Sequence, residues 1–229
     1  MKTYISYLNE SIRTPHEIAH SIAQYNASLP LSKGGLGLHA NNTAHERAHA
    51  MGYDIENPRY RGMTQLHNDA HSQPYIWTSP EPSHAAEYAY GDTHSYPNVI
   101  KVFVKHNLPV HLGFRTSSIS TTFNDVKDRV KDRILNAYRD KQTDIDTAKS
   151  AFNTVDNLPN REGFNNVWHW REHTPEFRHA LSVVGYDALQ DTESNGHETY
   201  NTLGLFHPHQ VKSVHAAFDP MNVHGGLLS

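Results

Sequence analysis

A mixed α+β fold is what this chain predicts, and two patterns carry most of the expectation. Over 99–105, Val99, Lys101, Phe103 and Lys105 alternate with Ile100, Val102 and Val104, the period of a strand buried on at least one face. Over 124–140, Val126, Val130, Ile134, Ala137 and Tyr138 fall on one helical stripe while the other face alternates charge. The remaining strand-like pieces are short and separated by helical segments, which favours an α+β arrangement.

The 229 residues are enough for one substantial core. A hydrophobic fraction of 37% and a mean hydropathy of -0.69 indicate a polar, loop-rich domain with little core to spare. Cysteine is absent, which excludes disulfides, thiolate zinc sites and a thiol nucleophile. No apolar run approaches the ~18 residues of a membrane span, and the opening MKTYISYLNESIRTP lacks the apolar stretch of a signal peptide. The expectation is an unprocessed protein with no membrane partner, working in the cytoplasm. Twenty basic against 24 acidic residues leave a formal charge of -4, so no global basic field recruits nucleic acid.

Taken in order, residues 1–30 carry Ile12, Ile18, Ile22 and Tyr25 at near-helical spacing before Pro30, and read as a helical arm that packs loosely or docks a partner. The arm is set apart from a single domain over 31–229. Thr43 with Glu46 three residues on forms a capping box for a short helix ended by Gly52. Pro58 to Tyr88 holds two extended segments, one ending at Tyr60, Arg61 and Gly62, the other carrying Trp77, Thr78 and Ser79. Tyr88 follows His84 by one helical turn. This is a frame for a flat, charged, phosphate-bearing ligand, or a pair of edge strands with ordinary surface aromatics. A second, weaker helix covers about 143–152, and irregular chain over 153–170 brings Phe164, Trp168 and Trp170 onto the core. Thr174-Pro175-Glu176 starts a helix that ends at Gly185. Strands follow over Tyr186–Leu189, Thr199–Phe206 and Gln210–Ala217, with a loop from Asp191 to His197.

The 19 histidines make metal chemistry worth weighing, and His45-Glu46-Arg47-Ala48-His49 matches H-E-x-x-H. In zinc hydrolases the two histidines hold the metal and the glutamate activates its water. Here the helix is only about two turns long, Arg47 adds a cation beside the would-be metal, and Ile55 stands where a third ligand would be needed. A solvated helix face is the favoured reading and no metal is expected, with a zinc metallohydrolase as the alternative.

Longer stretches carry a family likeness. LPLSKGGLGLHANNTAHERAHAMGYD followed by PRYRGM resembles the lead-in of phage-type ADP-ribosyltransferase domains of polyvalent and head-associated proteins. FHPHQVKSVHAAFDP resembles their closing segment, and IWTSPEPSHAAEYA resembles their aromatic-T-S and A-x-x-Y-A segment, which diphtheria-type transferases share. The likeness covers about 29–222. It implies a split β-sandwich that binds NAD and moves ADP-ribose to a macromolecular acceptor with release of nicotinamide, in a bacterial host cytoplasm or on a virion. Breaking the nicotinamide–ribose bond builds oxocarbenium character, which calls for a carboxylate, polar anchors and aromatic walls. By motif, Arg61 takes the place of the family's first-strand histidine, and as an arginine it resembles the phosphate-contacting residue of the other major transferase class. Gly62 lets NAD approach, Trp77 and Tyr88 flank the nicotinamide, and Tyr60, Thr78 and Ser79 complete the binding set. Glu198 is the first candidate for the catalytic glutamate and Glu193 the second, although a gapless match puts Thr202 at that position. A degenerate fold that binds NAD without turnover, or serves as a virion interaction module, is the non-enzymatic alternative.

Overall fold

The computed structural model describes residues 13–63, 75–87, 89, 98–111, 123–158, 174–194 and 198–227. Among them are six α-helices and two sheets, one of three strands and one of four, so the mixed α+β expectation holds at that level. None of the described helices is long and apolar enough to cross a membrane. Tyr88, Phe164, Trp168 and Trp170 lie outside the described residues. The chain forms two compact units, one of residues 1–58, 101–105 and 208–229, the other of 59–100 and 106–207.

In the first unit, α1 (Pro15–Ser28) starts on a Thr14/Glu17 capping box with Pro15 in its first turn. Its expected apolar stripe faces outward: Ile18, Ile22 and Tyr25 are exposed, whereas Ala23 and Ala27 are fully buried. The reason is close approach. With only methyl groups on that face, the backbone amides of Leu36 and Leu38 reach Ala27 O at 3.1 Å each. Asn26 Nδ2 also donates to Asp219, and Asn42 Nδ2 to Gln24 O, so α1 is built into this unit and does not stand apart as an arm. The next helix, α2 (Ala44–Ala50), has the predicted Thr43/Glu46 box and stops at Gly52, whose φ of 84° suits glycine.

Strand β1 (Asp54–Met63) leads from the first unit into the second. Strand β3 (Asn98–Val104) is the alternating segment, and β7 (Val211–Ser213) pairs antiparallel with it, Val102 opposite Ser213. The sheet order is β1-β3-β7. Ala48, Tyr53, Phe103, Ala216 and Phe218 pack together as the core of the first unit. Two buried cations fasten its polar parts. Arg47 donates from Nε to Ala217 O (2.8 Å) and from Nη1 to Asn42 Oδ1 (2.8 Å), and Lys212 Nζ donates to Gly225 O (2.6 Å) and Gly226 O (2.9 Å). The stretches that carry the lead-in and closing likeness are thus bound to each other.

The second unit is built on the four-stranded sheet in the order β2-β6-β5-β4. These strands are β2 (Ile76–Thr78), β4 (Pro109–His111), β5 (Ala188–Ser194) and β6 (Thr199–Leu205). β2 and β5 both pair antiparallel with β6, and β4 pairs parallel with β5. A short helix, α3 (Pro82–Glu87), follows β2. Helices α4 (Phe123–Arg139), α5 (Ile145–Asp156) and α6 (Thr174–Val183) supply Val130, Ile134, Ala151, Val155, Phe177 and Leu181 to a core closed by Leu189 and Phe206 from the strand side. Three expectations are corrected. β5 runs to Ser194, so Asp191 is strand and not loop; β4 is an additional strand; and the last strand stops at Ser213.

Candidate active site

Side chains in a strand alternate between faces, and cross-strand partners share a face. Trp77 lies opposite Gly204, which lies opposite Leu189, and this row faces the helical core. A Cβ on Gly204 would sit 3.0 Å from the Trp77 ring, so the glycine makes room for the indole. One step along, the same face carries Ser79, Thr202 and Asp191, then Tyr200 and Glu193, which are paired directly. This patch continues the core face of the sheet with polar groups.

Helix α3 lies against the same patch because Gly62 has no side chain. A Cβ there would stand 1.9 Å from Ala85 O. The close approach expected of Gly62 is therefore to the backbone of α3. It sets His84, 3% exposed, flat on Tyr200 with ring centroids 4.3 Å apart and planes 13° apart. His84 Nδ1 is 3.1 Å from Ser79 Oγ, and Nε2 is 3.2 Å from Glu193 Oε2. Thr202 Oγ1 donates to the other carboxylate oxygen, Glu193 Oε1, at 3.0 Å. Burial pushes the Glu193 carboxyl up, opposed by the Thr202 hydroxyl and by His84. Asp191, 5% exposed, is pushed up to about 6 by burial, against a hydrogen bond from its neighbour Thr192 N–H.

The residues singled out from the sequence divide between the two faces. Tyr60 exchanges backbone hydrogen bonds of 2.8 Å with Ser79, so Tyr60, Trp77, Ser79 and Glu193 share the α3 side. Arg61 and Thr78, one residue on or back, alternate to the opposite side, and both are buried. There Thr78 Oγ1 accepts from Arg59 Nε at 3.0 Å, and Arg59 Nη2 reaches Thr78 O and Asn201 O. Trp77 is half-buried, edge-on to Tyr75 at 6.0 Å. Glu198 sits exposed just before β6 and accepts from Tyr200 O–H at 2.5 Å, so both candidate glutamates touch the Tyr200–His84 stack from its two ends.

In the first unit, Glu46 closes the capping box with Thr43 and bonds His39 Nε2 at 3.0 Å, which pulls its carboxyl down to about 2. His45 packs edge-on to Phe103. Among the described residues no group of three or more histidines and carboxylates is gathered as a metal site.

His84, Tyr200 and Arg59 were not singled out as site residues by the sequence. The available signal for His84 was its place in the first turn of a helix starting just after Ser79-Pro80. Its contacts with Glu193 and Tyr200 join distant segments and leave no local pattern. No protein-family model, no curated protein and no solved structure matches this chain.

Proposed function

We propose that the chain is a mono-ADP-ribosyltransferase acting on NAD, with Glu193 as its catalytic carboxylate. One observation carries this reading. Thr202 stands where the gapless family register wants the glutamate, and the carboxylate of Glu193, from the neighbouring strand, is held on the Thr202 hydroxyl. A carboxylate thereby reaches that position from β5 although β6 lacks one. Further support comes from Trp77 on the same face, a half-buried aromatic suited to the nicotinamide ring, and from the mixed α+β architecture with two sheets.

In the proposed reaction the bond from ribose C1 to the nicotinamide nitrogen breaks and its electron pair leaves with neutral nicotinamide. The positive charge developing at C1 faces Glu193, whose ionised carboxylate stabilises it. An acceptor nucleophile then bonds C1 and gives up its proton, to which the same carboxylate can act as base. Glu198, exposed at the mouth of the hairpin, is assigned to orienting Tyr200, and Arg61 to supporting β1 from the opposite face. The acceptor is a macromolecule of the host cell, or water if the chain acts as a glycohydrolase.

The test is incubation of the purified chain with adenylate-labelled NAD and a bacterial lysate, following nicotinamide release and the label. Glu193→Gln is expected to lower nicotinamide release by roughly 100-fold or more, and Glu198→Gln by far less. Full activity in Glu193→Gln would move the chemistry elsewhere. Absence of NAD binding and turnover would leave the interaction-module alternative.

A further inference from the structure

Resting on the assignment of Glu193, we propose that Ser79 and His84 form a directional hydrogen-bond relay that positions the Glu193 carboxylate and keeps it ionised, with Ser79 setting the His84 tautomer. Serine, histidine and glutamate in contact suggest a hydrolytic triad, but the geometry is wrong for one. Ser79 is 1% exposed, so no substrate carbonyl can reach its hydroxyl. Its Oγ already accepts from Glu81 N–H at 3.2 Å. The hydroxyl proton of a buried serine needs an acceptor of its own, and His84 Nδ1 stands 3.1 Å away. Donation from Ser79 leaves Nδ1 bare and puts the ring proton on Nε2, facing Glu193 Oε2 at 3.2 Å. With Thr202 Oγ1–H on Oε1, each carboxylate oxygen receives a proton donor.

Every link runs one way: Glu81 N–H to Ser79, Ser79 O–H to His84 Nδ1, His84 Nε2–H to Glu193. The stack on Tyr200 at 4.3 Å fixes the plane of the imidazole. Donors to both oxygens favour the ionised carboxylate and counter the burial that disfavours it. Among the described residues, the other charged or titratable groups near Glu193 include Glu87 at the end of α3, which repels it, Asp191 on its own strand, and Tyr200 with Glu198 on the β6 side. His84 and Ser79 are thus positioning residues and touch no reacting atom.

The relay is tested by the ring ¹⁵N shifts of His84, assigned among 19 histidines by their loss in His84→Gln, and by the carboxyl titration of Glu193. The intact chain should show a bare Nδ1 and a protonated Nε2. Ser79→Ala should lose that tautomer preference and raise the Glu193 midpoint by roughly one pH unit, with the acid limb of kcat/KM for nicotinamide release moving up equally. His84→Gln, which keeps an amide donor, should retain more activity than His84→Leu. A proton on Nδ1 in the intact chain, or a Ser79→Ala variant with unchanged tautomer and midpoint, overturns the relay. If Ser79→Ala fails to fold, the tautomer of the intact chain decides alone. Failure of the transferase reading is distinguishable, because it appears as absent NAD cleavage while both magnetic-resonance readings still judge the relay.

Discussion

The two units differ in the charge they bury beyond cations held on backbone carbonyls. In the first, the buried charges are the cations Arg47 and Lys212, and their partners are largely backbone carbonyls, of Ala217, Gly225 and Gly226. A carbonyl cannot titrate, so such contacts fasten segments together and do nothing else. The second also buries cations, Arg61 and Lys127, and Lys127 Nζ donates to the carbonyls of Asp156 (2.6 Å) and Leu158 (3.0 Å), but it adds two carboxyls on one face of β5, buried Asp191 and partly buried Glu193, and the partners of Glu193 are side chains that can change protonation or rotate. Buried charge serves assembly in both units, and on β5 of the second it is also available for chemistry.

The largest effect expected from this contrast is on folding. Arg47→Ala removes the guanidinium that ties Asn42 and Ala217, leaves buried carbonyls without a donor and opens a cavity behind α2. The cost should be about 3 kcal/mol or more, read as a shift of the denaturant midpoint. If the variant folded as stably as the parent, the fastening role of buried cations in the first unit would be wrong.

A smaller effect sharpens the comparison through pH. Asp191 has its folded carboxyl raised from 3.8 to about 6, so between those values the folded state holds a proton that the unfolded chain has released. Stability is therefore full below about pH 4 and lost as pH rises through about 6. Asp191→Asn should remove this loss and stabilise the chain at pH 7.5 by up to about 3 kcal/mol, with no gain at pH 3.5. Lys212, depressed from 10.5 to about 8 by burial, works the other way: stability rises with pH from about 8 to 10.5, because there the unfolded chain keeps the proton. Hydrogen exchange resolved by residue should show the acidic change in the second unit and the alkaline one in the first. Both changes in one unit would erase the distinction.

What the sequence made legible divides by locality of pattern and not by unit. β3, α4 and α2 were readable because their patterns are local: alternation, an apolar stripe, a cap three residues from its partner. β5 was not, since Asp191 and Glu193 occupy the covered face where an apolar residue is the usual strand signal. α1 was read with its faces inverted because Ala23 and Ala27 bury less area than the isoleucines but allow closer backbone approach. The candidate site was half visible. Trp77, Ser79 and Glu193 were named, but alternation sends Arg61 and Thr78 to the other face, and the histidine that links Ser79 to Glu193 makes those contacts only once β2, α3 and the β5–β6 hairpin have assembled.

The smallest expected effect compares two hydroxyls of similar size. Thr43 Oγ1 accepts from Glu46 N–H at 3.2 Å, and the Glu46 carboxylate accepts in return from Thr43 N–H at 2.7 Å, a reciprocal cap on α2. Thr43→Ala should therefore cost about 1 kcal/mol of stability and leave nicotinamide release unchanged. Ser79→Ala, which strips buried bonds to Glu81 N–H and His84, should differ in shifting the acid limb of the rate profile whatever it costs in stability. An activity loss in Thr43→Ala beyond what its lowered stability explains would return the H-E-x-x-H helix to consideration as a reactive element, because Glu46 would then be needed for something other than capping. Thr43 N and Thr43 Oγ1 hold Glu46 Oε2 and His39 Nε2 lies against Oε1, so the carboxylate is committed to the cap and a purely structural outcome is expected.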